Sequence, residues 1–106
     1  MAHYLVRARP NWDRLGELRL RIDAGEVVEM QPFGRSLDYS LREARLESDQ
    51  VAIWEEEDYC RPPLDMERQA VLDHYFEDIQ VEAVGRGEGW ARIETLPGLW
   101  SDARQA

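Results

Sequence analysis

Apolar residues recur every three or four positions along residues 12–24, which predicts an amphipathic helix there. Asn11 is a good N-cap for this helix, because its side-chain oxygen can accept a backbone N–H of the first turn. Gly25 follows as the type of residue that commonly ends a helix. The apolar face consists of four residues: Trp12, Leu15, Leu18 and Ile22.

A second, broader apolar stripe at helical spacing extends from Leu64 to Ile79 and predicts another helix. Asp65 can cap this helix, and Glu67 places a carboxylate in its first turn, where the helix dipole favours negative charge. The stripe consists of six residues: Leu64, Val71, Leu72, Tyr75, Phe76 and Ile79.

Alternating apolar and polar residues, or short apolar runs, predict strands in other segments. Residues 37–41 alternate and predict a strand, although a short helix using Leu37, Leu41 and Ala44 is the competing interpretation. The remaining predicted strands are residues 3–8, 51–56, 81–84 and 90–94. Residues 26–33 are expected to form a short strand or an irregular approach to one.

The glycine-rich segment at residues 85–89 predicts a hairpin turn before the last strand. Its Gly85-x-Gly87-x-Gly89 spacing differs from the GxGxxG phosphate loop, and the pattern predicts a strand rather than a helix after it. The apolar segment 96–100 is expected to pack on the domain or on a second subunit.

The order of these elements is β-α-β-β-α-β with an extra C-terminal strand or tail. This order predicts an α+β fold of ferredoxin-like type, with an antiparallel sheet and two helices on one of its faces. A chain of 106 residues is expected to form a single domain, residues 1–106. No third helix is predicted for the other face of the sheet. We therefore expect a homodimer, formed through that face or by exchange of the C-terminal tail.

Composition narrows the class of protein. The chain is 43% hydrophobic and contains four Trp, four Tyr and two Phe, which is too apolar for a disordered protein. One cysteine excludes an intrachain disulfide and is typical of a reducing compartment.

No segment approaches the ~20 apolar residues of a membrane span, and the N-terminal apolar run is too short for a signal peptide, so we predict a cytoplasmic protein with no membrane partner. All thirteen basic residues are arginines, as in bacterial-type proteins from GC-rich genomes, which excludes lysine Schiff-base chemistry.

The negative charge is concentrated in one part of the chain. Twelve acidic residues and two arginines lie between Glu47 and Glu82, a net charge of −10, whereas the whole chain carries −9. Phosphate binding requires a basic surface, so nucleic acid is not expected as a partner. The negative charge instead suits the binding of a cation or of a basic protein surface, or it serves only to keep the protein soluble.

The densest acidic run is Glu55–Asp58, at the end of a predicted strand. Glu55 and Glu57 point to one face of such a strand, and Glu56 points with Asp58 to the other. Two carboxylates on a face are too few for calcium. We expect a solvated strand end. The functional alternatives are loose binding of Mg²⁺ by two carboxylates and docking of a basic protein.

Two residues are candidates for catalysis, His74 and Cys60. On the predicted helix, Glu77 and Asp78 lie three and four residues after His74. That spacing suits a metal site or a general base, although a surface histidine with local ion pairs is the simpler interpretation. Cys60 can act as a nucleophile if a histidine lies close to it, but a small buried thiol is the commoner case.

These patterns support two hypotheses for function. In the first, the protein is a non-catalytic binding or regulatory module that acts as a homodimer and binds a basic partner through Glu55, Glu57 and Asp58. In the alternative, it is a small enzyme or ligand-binding protein in which His74 is a general base or metal ligand in a cleft between sheet and helix. No cofactor is expected. The cleft is expected to be lined by Tyr4, Tyr39, Trp54, Tyr59 and His74.

Overall fold

The computed structural model describes residues 2–101 of the chain. Its strands are β1 (Ala2–Pro10), β2 (Arg45–Leu46), β3 (Ala52–Asp58) and β4 (Phe76–Val84). They form one four-stranded sheet in the order β2-β3-β1-β4, and every neighbouring pair is antiparallel. The α+β class and the antiparallel sheet expected from the sequence are therefore confirmed.

Helical segments connect and cover the strands. The α-helices are α1 (Leu15–Asp23), α2 (Gly34–Arg42), α3 (Asp65–Glu67), α4 (Asp73–Tyr75) and α5 (Glu88–Ile93). A π-helical turn, Arg68–Leu72, joins α3 to α4, and the described chain ends in a 3-10 turn, Leu99–Ser101. Within the described residues, no helix has both the length and the apolar character needed to cross a membrane.

The two faces of the sheet carry different hydrophobic clusters. On one face, Val6 and Trp54 belong to the main core, together with buried residues of α1, α2 and the segment from α3 to α4. On the other face, Leu5 and Ile53 pack against Ile93 of α5. The sequence pattern predicted no helix for this second face, yet α5 covers it around Leu5 and Ile53.

The helix predicted over residues 12–24 is present as α1, preceded by a turn. Asn11 accepts the backbone N–H of Asp13 on its Oδ1 at 3.2 Å, so it stabilises the entry to this turn. Three residues of the predicted apolar face are fully buried: Leu15, Leu18 and Ile22.

The helix predicted from Leu64 to Ile79 is shorter than its apolar stripe. It ends at Tyr75, and β4 begins at the next residue, Phe76. Residues 76–84 pair with nearly the whole length of β1. A central strand left without a partner on one side would leave its buried N–H and C=O groups unpaired, so the ladder overrides the local helical spacing.

Three further segments differ from the sequence prediction. Residues 26–33 form turns rather than a strand, because hydrogen bonds close locally and Pro32 has no N–H to donate. Residues 37–41 lie in α2, so the competing helical interpretation is the correct one. Residues 90–93 of the strand predicted at 90–94 lie in helix α5 instead. By contrast, the strands predicted at residues 3–8 and 81–84 lie within β1 and β4, and the strand predicted at residues 51–56 coincides with β3 except for its first residue.

The C-terminal segment packs on its own chain, which is one of the two outcomes expected for it. The N–H of Leu99 donates to the carbonyl of Ala44 at 2.8 Å, and the indole N–H of Trp100 donates to the carbonyl of Leu41 at 2.6 Å. Leu99 is fully buried. The tail therefore holds α2 and β2 in place beside β3, which positions α2 next to the acidic end of that strand.

Candidate functional site

The acidic run Glu55–Asp58 lies inside the fold. Glu55, Glu56 and Asp58 have relative exposures of 4%, 0% and 4%, and the side chain of Glu57 is one-third exposed. The expectation of a solvated strand end was therefore wrong. β1 pairs with β3 as far as Ala2 and Asp58, so the acidic residues stand beside a central strand instead of projecting from the sheet.

On one face of β3, the acidic run contributes to a cluster of four side chains that we call the carboxyl–thiol cluster: Glu56, Asp58, Cys60 and Glu67. Asp58, Cys60 and Glu67 each offer one ligand atom, and these atoms all lie within 4.8 Å of one another. The Sγ of Cys60 lies 3.7 Å from Oε1 of Glu67. Within residues 2–101 this is the one group of three histidine, cysteine or acidic side chains so arranged.

The turn between β3 and α3 builds this cluster. The carboxylate Oδ2 of Asp58 accepts the backbone N–H of Cys60 at 3.1 Å and that of Leu64 at 2.6 Å. Leu64 adopts a left-handed backbone with φ of 65°, directly before α3 begins. The turn thus folds back on the strand end, and the first helical turn carries Glu67 to Asp58.

Two oxygens of the cluster are buried without a hydrogen-bond partner, Oε2 of Glu56 and Oε2 of Glu67. The other oxygen of Glu56, Oε1, accepts the indole N–H of Trp54 at 2.9 Å. Leaving a buried polar atom unpaired costs about 1–3 kcal/mol. A buried carboxylate oxygen is stable in such a place when it carries or receives a proton, or when it binds a cation.

Proton affinities in the cluster follow from its burial. Burial, together with the hydrogen bond and negative charge of Asp58, raises the pKa of Glu67 to about 7. Burial also raises the pKa of Glu56 well above its usual value, and the charges of Glu67 and Asp58 add to this effect. Burial and mutual repulsion therefore disfavour simultaneous ionisation of the three carboxyl groups, and a compensating positive charge would relieve this cost.

Asp58 and Cys60 respond differently to the same surroundings. Burial acts to raise the pKa of Asp58, but a hydrogen bond from Glu67 in its protonated form and those from the N–H groups of Leu64 and Cys60 outweigh it and lower that pKa. Burial raises the pKa of the Cys60 thiol. In the metal-free protein the cluster consequently holds an ionised Asp58 beside a neutral thiol, and this thiol is not an activated nucleophile.

A pocket of about 420 Å³ opens beside the carboxyl–thiol cluster. Asp58 and Cys60 line it, and two of the tyrosines predicted to line a cleft, Tyr4 and Tyr59, also border it. The remaining lining residues are Ala2, Arg61 and Pro63. Two side chains of the cluster thus face a cavity that a small ligand can enter.

On the opposite face of β3, Glu55 is held by the glycine-rich segment. Its Oε1 accepts the N–H groups of Gly89 at 2.7 Å and Trp90 at 3.2 Å, and its Oε2 accepts that of Gly87 at 2.9 Å. The segment is not the predicted hairpin turn, because α5 begins within it and needs an acceptor for its first N–H groups. The sequence pattern thus missed an internal carboxylate bound at a helix start.

The predicted site at His74 is dispersed over the surface. His74 is exposed on α4. Its backbone carbonyl accepts Nη1 of Arg14 at 2.8 Å, and its ring lies edge-on to that of Tyr75 with centroids 6.4 Å apart. Glu77 and Asp78 lie on β4 rather than on a helix, and Asp78 pairs with Arg9 at 3.4 Å. The helical spacing on which the metal-site prediction rested is therefore absent.

The cleft residues predicted from the sequence also separate. Tyr4 and Tyr59 border the pocket beside the cluster, whereas Tyr39 lines a different pocket on the other side of the sheet. Trp54 is fully buried in the main core. Cys60 does reach a pocket wall, but its near neighbours are carboxylates and not His74.

The site predictions from the sequence combined neither Glu56 nor Glu67 with Cys60. Glu67 lies three residues after Leu64 and four before Val71, so it occupies the buried face of the predicted helix. Glu56 follows Trp54 by two residues on the buried face of β3. A carboxylate on each of two apolar faces was the signal that could have identified the cluster.

Comparison with known proteins finds no matching family model, no matching curated protein and no matching solved structure.

Proposed function

We propose that this protein binds a divalent metal ion of the zinc type through Asp58, Cys60 and Glu67. The observation that carries the proposal is the convergence of two carboxylates and a thiol within 4.8 Å at a buried position, where Oε2 of Glu67 has no hydrogen-bond partner. A metal ion would supply the positive charge that this buried group of acids otherwise lacks.

The ligand types favour zinc or cobalt over magnesium or calcium. Thiolate sulfur is a soft ligand that suits zinc, whereas magnesium and calcium take oxygen ligands and need six or more of them. Zinc bonds of about 2.0–2.3 Å place tetrahedral ligands about 3.5 Å apart. Sγ of Cys60 and Oε1 of Glu67 are already 3.7 Å apart, and no pair of the three ligand atoms needs to approach by more than about 1.3 Å. Cys60 lies in the turn between β3 and α3, where such a movement does not disturb the sheet.

Three protein ligands leave a fourth coordination position for water or a substrate, which is typical of catalytic rather than structural zinc sites. The pocket of about 420 Å³ lies against two of the ligands, Asp58 and Cys60, so the open position would face it. Glu56, whose Oε1 is fixed by Trp54, is placed to hydrogen-bond a ligand carboxylate through Oε2 and so to orient it. We infer a metal-dependent ligand-binding or hydrolytic role for this pocket.

The strand order supports the more specific fold assignment predicted from the sequence. In a ferredoxin-like arrangement, a helix joins the first strand to the second and another joins the third to the fourth. The order β2-β3-β1-β4, with α1 after β1 and the segment from α3 to α4 before β4, agrees with this scheme. In this assignment α2 and α5 are additions to the basic fold.

A reduced Cys60, which the metal site needs, fits the cytoplasmic location expected from cysteine usage. A homodimer stays a prediction.

Metal titration of chelator-treated protein tests the proposal. We expect Zn²⁺ and Co²⁺ to bind at one equivalent by calorimetry, Co²⁺ to give a near-ultraviolet thiolate charge-transfer band, and Mg²⁺ not to bind. Cys60→Ser and Glu67→Gln should weaken binding by at least about tenfold, since each removes a ligand. His74→Ala is the matched control and should bind metal like the parent. No zinc binding, or binding abolished by His74→Ala alone, would overturn the proposal.

A further inference from the structure

A second pocket, of about 380 Å³, lies on the other face of the sheet. It shares no lining residue with the carboxyl–thiol cluster, because neighbouring residues of β3 point to opposite faces. Its volume falls within the range of small-molecule sites, about 300–1,000 Å³. It is lined by residues of β1, β3, α2 and the start of α5: His3, Ser36, Tyr39, Ser40, Glu55, Glu57, Arg86, Gly87 and Trp90.

The floor of this pocket offers one carboxylate to a ligand. Glu55 already accepts three backbone N–H groups and serves as a fixed wall. Glu57 is different, because its side chain is one-third exposed and its contact is with Nε2 of His3 at 3.7 Å. Nδ1 of His3 lies 3.6 Å from Glu55, so the ring is held between the two acids and Glu57 keeps acceptor capacity for a positively charged group.

The rim of the pocket offers a guanidinium. Eight arginines of the described chain pair with carboxylates, whereas within residues 2–101 Arg86 has neither an ion pair nor a hydrogen bond. A free guanidinium recognises carboxylates through two parallel hydrogen bonds. The pocket therefore combines an available carboxylate, that of Glu57, with an available guanidinium, that of Arg86, in one ligand-sized cavity.

An aromatic pair forms the third element. Tyr39 and Trp90 meet edge to face, with ring centroids 6.0 Å apart and an interplanar angle of 86°. Tyr39 is 60% exposed and so is not required by the core. Aromatic rings at the side of a charged pocket bind the apolar part of a ligand and attract an ammonium group.

We propose that this pocket binds a small zwitterion of the amino-acid class, with the ligand ammonium at Glu57 and the ligand carboxylate at Arg86. Tyr39 and Trp90 contact the ligand side chain. Neither a simple anion nor a simple cation uses both available charges. The proposal does not depend on metal binding, because no residue of the carboxyl–thiol cluster takes part.

The test begins with a thermal-shift screen of the twenty L-amino acids against the full chain in the presence of a chelator. The amino acid with the largest shift is then titrated by calorimetry, together with its amide and its N-acetyl derivative, which each lack one charge. We expect both derivatives to bind at least about tenfold more weakly, as loss of a charge-assisted hydrogen bond implies. A screen without any stabilising amino acid, or equal binding of all three compounds, overturns the proposal.

Two variants assign the charges to residues. Arg86→Gln should weaken binding of the amino acid to the affinity of its amide and leave binding of the amide unchanged. Glu57→Gln should weaken binding of the amino acid to the affinity of its N-acetyl derivative and leave binding of that derivative unchanged. Arg35→Gln is the matched control, because Arg35 is exposed, also has no partner within the described residues and does not line the pocket. Unaltered binding by Arg86→Gln and Glu57→Gln, with normal melting temperatures, contradicts the assignment.

Discussion

The indole N–H of Trp54 donates a 2.9 Å hydrogen bond to Oε1 of Glu56, two residues further along the same strand. Both side chains are fully buried on the same face of β3. The bond fixes the Glu56 carboxyl against the core and leaves Oε2 facing the acids that surround it. A core tryptophan thus places a carboxyl group at the edge of the carboxyl–thiol cluster.

Removing one acid from the cluster should stabilise the metal-free protein. In Glu67→Gln, a neutral amide that can donate to Asp58 replaces a buried carboxyl, so we expect a gain of about 1–3 kcal/mol in the free energy of unfolding at pH 8 with chelator. Urea unfolding measures this change. Glu43→Gln, on an exposed position of the chain, should change stability by less than about 0.5 kcal/mol. Lower stability for Glu67→Gln would show that the cluster is not under electrostatic strain.

Gly89 should not tolerate a side chain. An added Cβ would lie 2.9 Å from Oε1 of Glu55, 3.1 Å from its Cβ and 3.2 Å from Cδ1 of Leu5. We expect Gly89→Ala to destabilise the protein by about 1–3 kcal/mol, because the β-strand side chains at this contact cannot move away. Gly16→Ala is the matched control, since a Cβ added there in helix α1 would meet no atom within 4 Å beyond the neighbouring backbone of its own helix, and it should be neutral or stabilising. Thermal unfolding of both variants distinguishes them, and equal stabilities would contradict the packing.

The contact between α1 and α4 should be sensitive to acid. The hydroxyl of Tyr75 donates to Oε2 of Glu17 at 2.6 Å, and this hydrogen bond, aided by Arg14, lowers the pKa of Glu17. A lowered carboxyl pKa stabilises the fold above the unfolded value of 4.5, and this contribution is lost as the pH falls through the folded value.

We therefore expect Tyr75→Phe to melt below the parent at neutral pH, and the difference to shrink as the pH falls below about 4. Tyr59→Phe removes an exposed hydroxyl and should follow the parent throughout. Melting temperatures of the parent and both variants, recorded from neutral pH to below about pH 4, measure this difference. A difference that stays constant with pH would mean that the Tyr75 hydroxyl acts without Glu17.

The sequence predicted the fold where burial and local periodicity agree. Leu15, Leu18 and Ile22 lie on the buried face of α1 as expected. The alternation in residues 37–41 was ambiguous, because Leu37 and Leu41 fit both a strand and a helix, and only packing against the main core decides for α2. Ile79 belongs to the apolar stripe but lies in β4, because pairing with β1 outweighs helical spacing there.

The site was harder to predict because it depends on contacts between distant residues. Glu55, Asp58 and Cys60 were named as candidates, but their roles depend on Glu67 and on the N–H groups of Gly87 and Gly89. Charge density alone suggested a solvated surface. Burial of the run follows from the register of β1 with β3, and a single sequence does not reveal that register.

X-ray absorption at the zinc edge of the zinc-loaded full chain tests the central claim most directly. We predict one sulfur scatterer at about 2.3 Å and oxygen scatterers at about 2.0–2.2 Å, without the multiple scattering of imidazole rings. Cys60→Ser should lose the sulfur scatterer. A spectrum without sulfur, or one with histidine ligands, would contradict a metal centre formed by Asp58, Cys60 and Glu67.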